Sequence, residues 1–367
     1  MTTTTKHAAH LDGLRVGIRN YWYPILPSSG LPSDGPVGVT RLDEDLVVWR
    51  DGDGAAHTFV DRCPHRGARL SIGDLVDGRL QCRYHGLQYD GTGQCRLVPV
   101  EQREDGRQAQ RLCATSYPTV EQDGAVWAYL GDVDAFPPGP VPAHDEHPEL
   151  GDPSYVWMVK EMVWDANWLL IHDNTSDLFH FPFLHGHYGV SANGDGTKLE
   201  PLPPRNPLIS DVMAEVLAFD EYESIVTPNA VRTRRRGQPD GSTIDDVEFV
   251  LPCSAKVWVP TPVGGHPVRS IQYEMALDAD RTYCVFFIGR KTDNDEEREP
   301  TRELLESLVW ETFSTVFRED SWVTHNQGDV DECLSGEHLL STDAGPLRVR
   351  KMLRDAYEAQ QQQSTRQ

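Results

Sequence analysis

No run of about 18 apolar residues occurs in this 367-residue chain, so nothing in it reads as a membrane-spanning helix. The opening stretch, MTTTTKHAAHLDG, lacks an apolar h-region, so export by the usual signal is not expected and a cytoplasmic location is. Basic residues are scarce: 34 Lys and Arg stand against 57 Asp and Glu, a formal charge of −23. Nucleic acids and anionic membrane surfaces both require clustered cations, so neither is expected as a partner. There is no internal repeat. Cysteine is sparse and odd in number, at 7, which argues against a disulfide framework in a chain of this length. Together with 14 His, those cysteines point to metal or redox chemistry instead. What is plentiful is aromatic: 9 Trp, 12 Tyr and 11 Phe can build a real core, so most of the chain folds.

The length suits two domains. From about residue 37 to 130 short β runs alternate with turn residues: Val37–Leu42, Leu46–Trp49, Thr58–Val60, Leu87–Tyr89 and Val126–Leu130. They predict a small all-β domain over residues 1–150. A Pro- and acid-rich stretch from Phe136 to Pro153 reads as a linker. In the second domain, 151–367, residues 161–188 carry helix-like apolar spacing, and 212–290 read as strands. Thr301–Asn326 reads as a long amphipathic helix, and the Gln-rich tail from Ala359 reads as mobile. The fold class is therefore α+β.

Two clusters carry chemistry. In the first, Cys63-Pro-His65 and Cys82-Arg-Tyr-His85 form two half-sites, each mixing one thiol with one imidazole and each followed by a glycine, Gly67 or Gly86. Two buried cysteines with unrelated histidines would not be so tightly spaced. Structural zinc usually pairs cysteines with cysteines within a half-site. Mixed half-sites suit a [2Fe–2S] cluster with two Cys on one iron and two His on the other. Tyr84 lies between ligands and is a candidate donor to a cluster sulfur, or simply a packing residue. The other five cysteines, Cys95, Cys113, Cys253, Cys284 and Cys333, read as ordinary small apolar residues.

The second cluster is NWLLIHDNTSDLFHFPFLHGHY, Asn167 to Tyr188. Asp177 and His180 are three apart and share a helical face. His180 and His185 are five apart, about 140° on a regular helix, and converge only where the helix is distorted. Pro182 is a cause at hand. His187 competes for the second-ligand position, while His172 reads as a packing residue. Iron sites that activate O2 use two His and one carboxylate. On the late helix, Val309, Phe313 and Val316 fall within about 40° of Asp320, so Asp320 sits in the middle of the apolar face. A carboxylate there must be paired or metal-bound. Glu319 lies about 100° away on the edge of that face. Asp329 and Asp331 are weaker candidates.

The CPHRG and CRYHG pentads resemble the Rieske motif. The D-x2-H-x4-H spacing of Asp177, His180 and His185 after Asn174, followed by the Arg318-Glu319-Asp320 stretch, resembles the oxygenase (alpha) subunit of Rieske non-haem iron oxygenases. The GIRNYWYPIL start and the Ser341–Leu353 segment look most like the vanillate and dicamba O-demethylase, phthalate and phenoxybenzoate dioxygenase group. The resemblance implies an N-terminal all-β Rieske domain and a C-terminal helix-grip catalytic domain, an antiparallel sheet around a long helix. It implies Cys63, His65, Cys82 and His85 as cluster ligands, and a mononuclear Fe(II) held by His180, His185 and Asp320. It also implies a head-to-tail homotrimer in which Asp177 bridges His85 of one chain to His180 of the next, with Asn174 near the iron. The implied partners are a reductase or ferredoxin, O2 and a small aromatic or other cyclic substrate. The implied outcomes are hydroxylation or oxidative demethylation. Desaturation and simple electron carriage are the alternatives. Arg232 to Arg236 (RTRRR) reads as a solvated strand end or a docking patch for an acidic electron donor.

Overall fold

A computed structural model describes residues 13–185, 190–192, 199–201, 222–237, 246–259 and 266–365; residues 1–12 and His187 lie outside these. The five short β runs of the first half all form strands, and they assemble into three small antiparallel sheets. Tyr21–Pro27, Ala125–Leu130 and Thr119–Gln122 make one. Val37–Arg41, Glu44–Arg50, Ala56–Val60 and Ser116–Tyr117 make the second. The third joins Asp74–Val76, Arg79–Gln81, Gln88–Tyr89 and Cys95–Leu97.

The second half is built on one seven-stranded antiparallel sheet. Its spatial order is Tyr155–Trp164, Thr282–Lys291, Val268–Ala276, Ser254–Val259, Asp246–Val250, Ala230–Arg235, Tyr222–Val226. Five helices position the site or frame it: α1 (Trp168–Ser176), α2 (Phe181–Leu184), α3 (Trp310–His325), α4 (Val330–Gly336) and α5 (Ala344–Ser364). A π turn, Leu305–Val309, joins a preceding helix to α3. Leu305, Val309, Phe313 and Phe317 are buried on one stripe with Phe286 and Ile288 of the sheet, so the apolar face read from the sequence is the packed face. Phe286 and Phe317 stack with ring centroids 4.2 Å apart.

Three expectations need correction. Residues 161–164 belong to a strand, not a helix; Met162 and Trp164 sit two apart in a run whose apolar residues fit either period. The Pro-rich stretch is not a loose linker. Ala143, His147 and Leu150 are buried in it, and His147 Nε2 lies 3.0 Å from Ser254 Oγ. Burial and the nearby Lys256 cation hold that imidazole neutral, with its pKa pushed down to about 3. The two halves share one core, in which Trp127 of the first packs on Tyr273 and Phe287 of the second. The tail is helical to Ser364, and Asn20 bonds to Gln360 across it.

No helix among the described residues is long and apolar enough to cross a membrane.

Candidate metal centres

The two half-sites of the first cluster are near copies. Cys63 N–H donates to Ala68 C=O and Cys82 N–H to Leu87 C=O, both at 2.8 Å. Gly67 N–H returns to Cys63 C=O at 2.8 Å, and Gly86 N–H to Cys82 C=O at 2.9 Å. Each loop closes through a glycine with positive φ, 74° at Gly67 and 70° at Gly86, a conformation costly for a residue with a Cβ. This geometry turns each Cys inward and each His outward. Cys63 and Cys82 are buried; His65 and His85 are exposed, with rings 4.6 Å apart. Burial raises the Cys82 thiol, and the Cys63 thiol beside it raises it further, so two thiolates in this dry spot need a cationic centre between them.

A single zinc ion would bring all four donor atoms within roughly 4 Å of one another. Here each loop instead turns its thiol inward and its imidazole outward, a split that fits a two-iron cluster with the cysteines on one iron and the histidines on the other.

The tyrosine hydroxyl that lies beside a ligand sulfur is that of Tyr89. Tyr89 is buried with its hydroxyl 3.2 Å from Cys63 Sγ, and burial raises its pKa, so toward a ligand thiolate the hydroxyl is the donor. Tyr84 is 59% exposed and lays its ring on His85 at 3.9 Å. The signal for Tyr89 was its place in the short strand that follows the second ligand loop. Of the other cysteines, Cys95, Cys253 and Cys284 are buried as expected, whereas Cys113 is exposed.

The second cluster is assembled from three elements. Asn167 caps α1, its side chain accepting from Leu169 N–H at 3.0 Å, and Asp177 ends that helix. The chain then breaks and restarts at α2, where Pro182 occupies the first turn rather than kinking a continuous helix. His180 and His185 flank α2 in continuous helical backbone, and their rings lie 5.2 Å apart without the distortion expected between them. From α3, Asp320 Oδ1 reaches 3.3 Å from His180 Nε2 and 3.2 Å from His185 Nε2.

These three atoms are buried and make no hydrogen bond, although they are near enough to do so. They point at a common centre instead, and all lie within 4.8 Å of one another. Two imidazoles and one carboxylate aimed at one point suit a metal ion with open positions. Burial opposes the charged form of His185, but Asp320 and Glu319 overcome it and raise its pKa to about 9. His180 is likewise raised against burial, by Asp177 and Asp320. Burial would raise Asp320, but the two imidazoles hold it well below the usual carboxylate range.

Asp177 accepts from Phe179 N–H at 2.8 Å and places its other oxygen 3.6 Å from His180 Nδ1. Asn174, Asp177 and His180 together line an open hollow of about 610 Å3. The competing candidates go elsewhere. Asp329 and Asp331 pair with Arg15, each at 2.7 Å. His172 turns into the core, with Nδ1 2.8 Å from Glu274. Arg232 pairs with Asp246 and Arg234 with Glu223, so these two cations of the RTRRR run are spent inside the sheet. Glu319, assigned no role from the sequence, meets His185 Nδ1 at 2.9 Å.

Residues 21–118 match the Rieske [2Fe-2S] domain. Residues 164–359, more than half the chain, match the vanillate O-demethylase oxygenase C-terminal domain. The chain belongs to the Rieske oxygenase family. Among curated relatives of this Rieske oxygenase is the dicamba O-demethylase oxygenase component of Stenotrophomonas maltophilia, 39% identical over 46% of this chain and 48% of the relative. The tert-butanol monooxygenase / tert-amyl alcohol desaturase oxygenase subunit of Aquincola tertiaricarbonis is 34% identical over 50% of this chain and 38% of the relative. The matched part thus spans about half the length, or less, of these relatives. Dicamba monooxygenase bound to dicamba shares the fold, with a TM-score of 0.68 and 24% identity over 93% of this chain and 98% of that one. So does the oxygenase in a ferredoxin complex of carbazole 1,9a-dioxygenase, with a TM-score of 0.73 and 22% identity over 97% and 94%. An N-terminal Rieske domain and a C-terminal antiparallel catalytic domain with helices are therefore the architecture of this chain.

Proposed function

We propose that this Rieske oxygenase is the terminal component of a multicomponent system that hydroxylates or oxidatively demethylates an aromatic or other cyclic small molecule. The observation that carries this reading is the presence in one chain of two differently built centres: twin Cys/His loops and a buried two-His, one-Asp triangle. When bound, a [2Fe–2S] cluster supplies single electrons and a mononuclear Fe(II) supplies O2 activation. Cys63, His65, Cys82 and His85 hold the first, and His180, His185 and Asp320 the second. The dicamba O-demethylase relative supports the demethylation outcome. The relative named as both monooxygenase and desaturase supports desaturation as a second reading. An electron carrier would have no use for the second triangle.

The chain's own residues divide the work. The exposed His65 and His85 edge passes electrons, while buried thiols keep water from the sulfur side. Asp177, part-exposed beside His180 at the mouth of a hollow, suits contact with the His85 tip of a second copy, so a head-to-tail homotrimer completes the site. Asp177 then stands between two imidazoles and its charge favours the orientation of both. Asn174 lines the same hollow. A reductase or ferredoxin delivers the electrons; a structural neighbour is such a ferredoxin complex. We place the domain boundary near residue 150 and the protein in the cytoplasm.

The test is an iron count. The unsubstituted protein should hold about three irons per chain, and His180→Ala about two with an unchanged Rieske absorbance. Two irons in both would refute the oxygenase reading.

A further inference from the structure

We infer that Glu319 is a positioning residue that makes His185 the fixed ligand of the second centre and leaves His180 the adjustable one. The inference rests on the metal-site reading of His180, His185 and Asp320. Both imidazoles turn Nε2 toward the centre and Nδ1 away from it. A ring nitrogen that binds metal must present its lone pair, so the ring proton sits on Nδ1 and donates outward.

What receives that proton differs between the two. At His185 it is Glu319 Oε2, at 2.9 Å. At His180 it is Asp177 Oδ2, at 3.6 Å, beyond hydrogen-bond length. The His185 side chain is 2% exposed and that of Glu319 21%, so water competes little for the bond. Asp177 is 28% exposed, and it faces the open hollow.

The difference follows from where each carboxylate is mounted. Successive residues of a helix point about 100° apart. Asp320 therefore aims into the triangle, while Glu319 leaves α3 to its side and uses its extra methylene to reach behind the His185 ring. One helix thus sets two of the three ligands, Asp320 directly and His185 through Glu319. Asp177, at the end of α1, leans on His180 only loosely and remains available to a second partner. Of the two carboxylates, Glu319 holds the metal site together and Asp177 communicates with what docks there.

Co(II) binding to protein stripped of mononuclear metal but retaining its Rieske cluster tests this, read by chelator competition and by the Co(II) ligand-field spectrum. Glu319→Gln should weaken Co(II) binding about 10- to 100-fold and shift that spectrum, with Rieske absorbance unchanged. Glu319→Asp, too short to reach the ring, should resemble Glu319→Ala, and Asp177→Asn should stay within about threefold of the unsubstituted protein. Should Glu319→Ala lose the Rieske absorbance, the near-isosteric Gln variant decides. Affinity of Glu319→Gln within threefold of the unsubstituted protein overturns the inference, as does an equal loss in Asp177→Asn. An unsubstituted protein that takes up no Co(II) overturns the metal-site reading itself, which is a distinct result.

Discussion

The two centres of this chain are built by opposite means. The Cys63–His85 centre draws all its ligands from one short stretch and closes each loop with the same pair of backbone hydrogen bonds. The His180, His185 and Asp320 centre joins ligands more than a hundred residues apart, and only the packing of α3 against the sheet brings them together. The first buries its thiols and exposes its imidazoles. In the second, the His185 ring and the donor atoms themselves are buried. An electron port must touch the outside, whereas a site that handles a reactive species must exclude water. The contrast in burial follows that division of labour.

Replacing Asp177, the proposed bridge between the two centres, should have the largest effect on the comparison. Asp177→Asn keeps a side chain of the same size but removes the charge that orients His180 and the docking imidazole. Both metals should remain, and turnover followed by O2 uptake should fall at least about 100-fold. Retention of most activity would mean that the centres communicate by another route.

A difference in pH response comes next. In the metal-free site the pKa of His185 is raised to about 9 from 6.5. The protonated ring stabilises the metal-free fold fully below pH 6.5, and that contribution is lost as pH rises through about 9. Metal needs the neutral ring, so affinity at this centre should rise with pH by up to about tenfold per unit between those values. Metal uptake should release protons, measurable in weakly buffered solution. No release at pH 7 would contradict the assigned ligands.

The smallest effect is expected at the first centre. Tyr89→Phe removes the hydroxyl from Cys63 Sγ and should lower the cluster potential by up to about 40 mV, the equivalent of a hydrogen bond of about 1 kcal/mol for a one-electron couple. Tyr84→Phe should leave the potential unchanged. A redox titration in which Tyr84→Phe gives the larger shift would reverse the roles of the two tyrosines.

How much of this was legible beforehand depends on how local each cause is. The Rieske loops could be read directly, because two pentads with glycines in place define their own backbone. Asp320 could be read at one remove: a carboxylate centred on the apolar face of a helix has to meet something, and here it meets two imidazoles. The site histidines were visible as a cluster, but not how they converge: the chain breaks before His180, and the backbone from His180 to His185 is continuous helix, not distorted at Pro182. Two of the four cations in the Arg232–Arg236 run are already paired, for a reason that a linear string hides. Asp246 and Glu223, the partners of Arg232 and Arg234, sit on neighbouring strands.

By itself the sequence determined the chemistry of this protein: which donors exist, at what spacing, and which stretches of backbone can present them. Those depend on side-chain type and on interactions a few residues long. The tertiary structure alone decided which carboxylate serves which imidazole, which tyrosine reaches a sulfur, and that the two halves share a core. Glu319, Tyr89 and Trp127 take their roles from neighbours distant in the chain or on adjoining strands. Such contacts exist only once burial of the apolar faces has fixed the distances between elements.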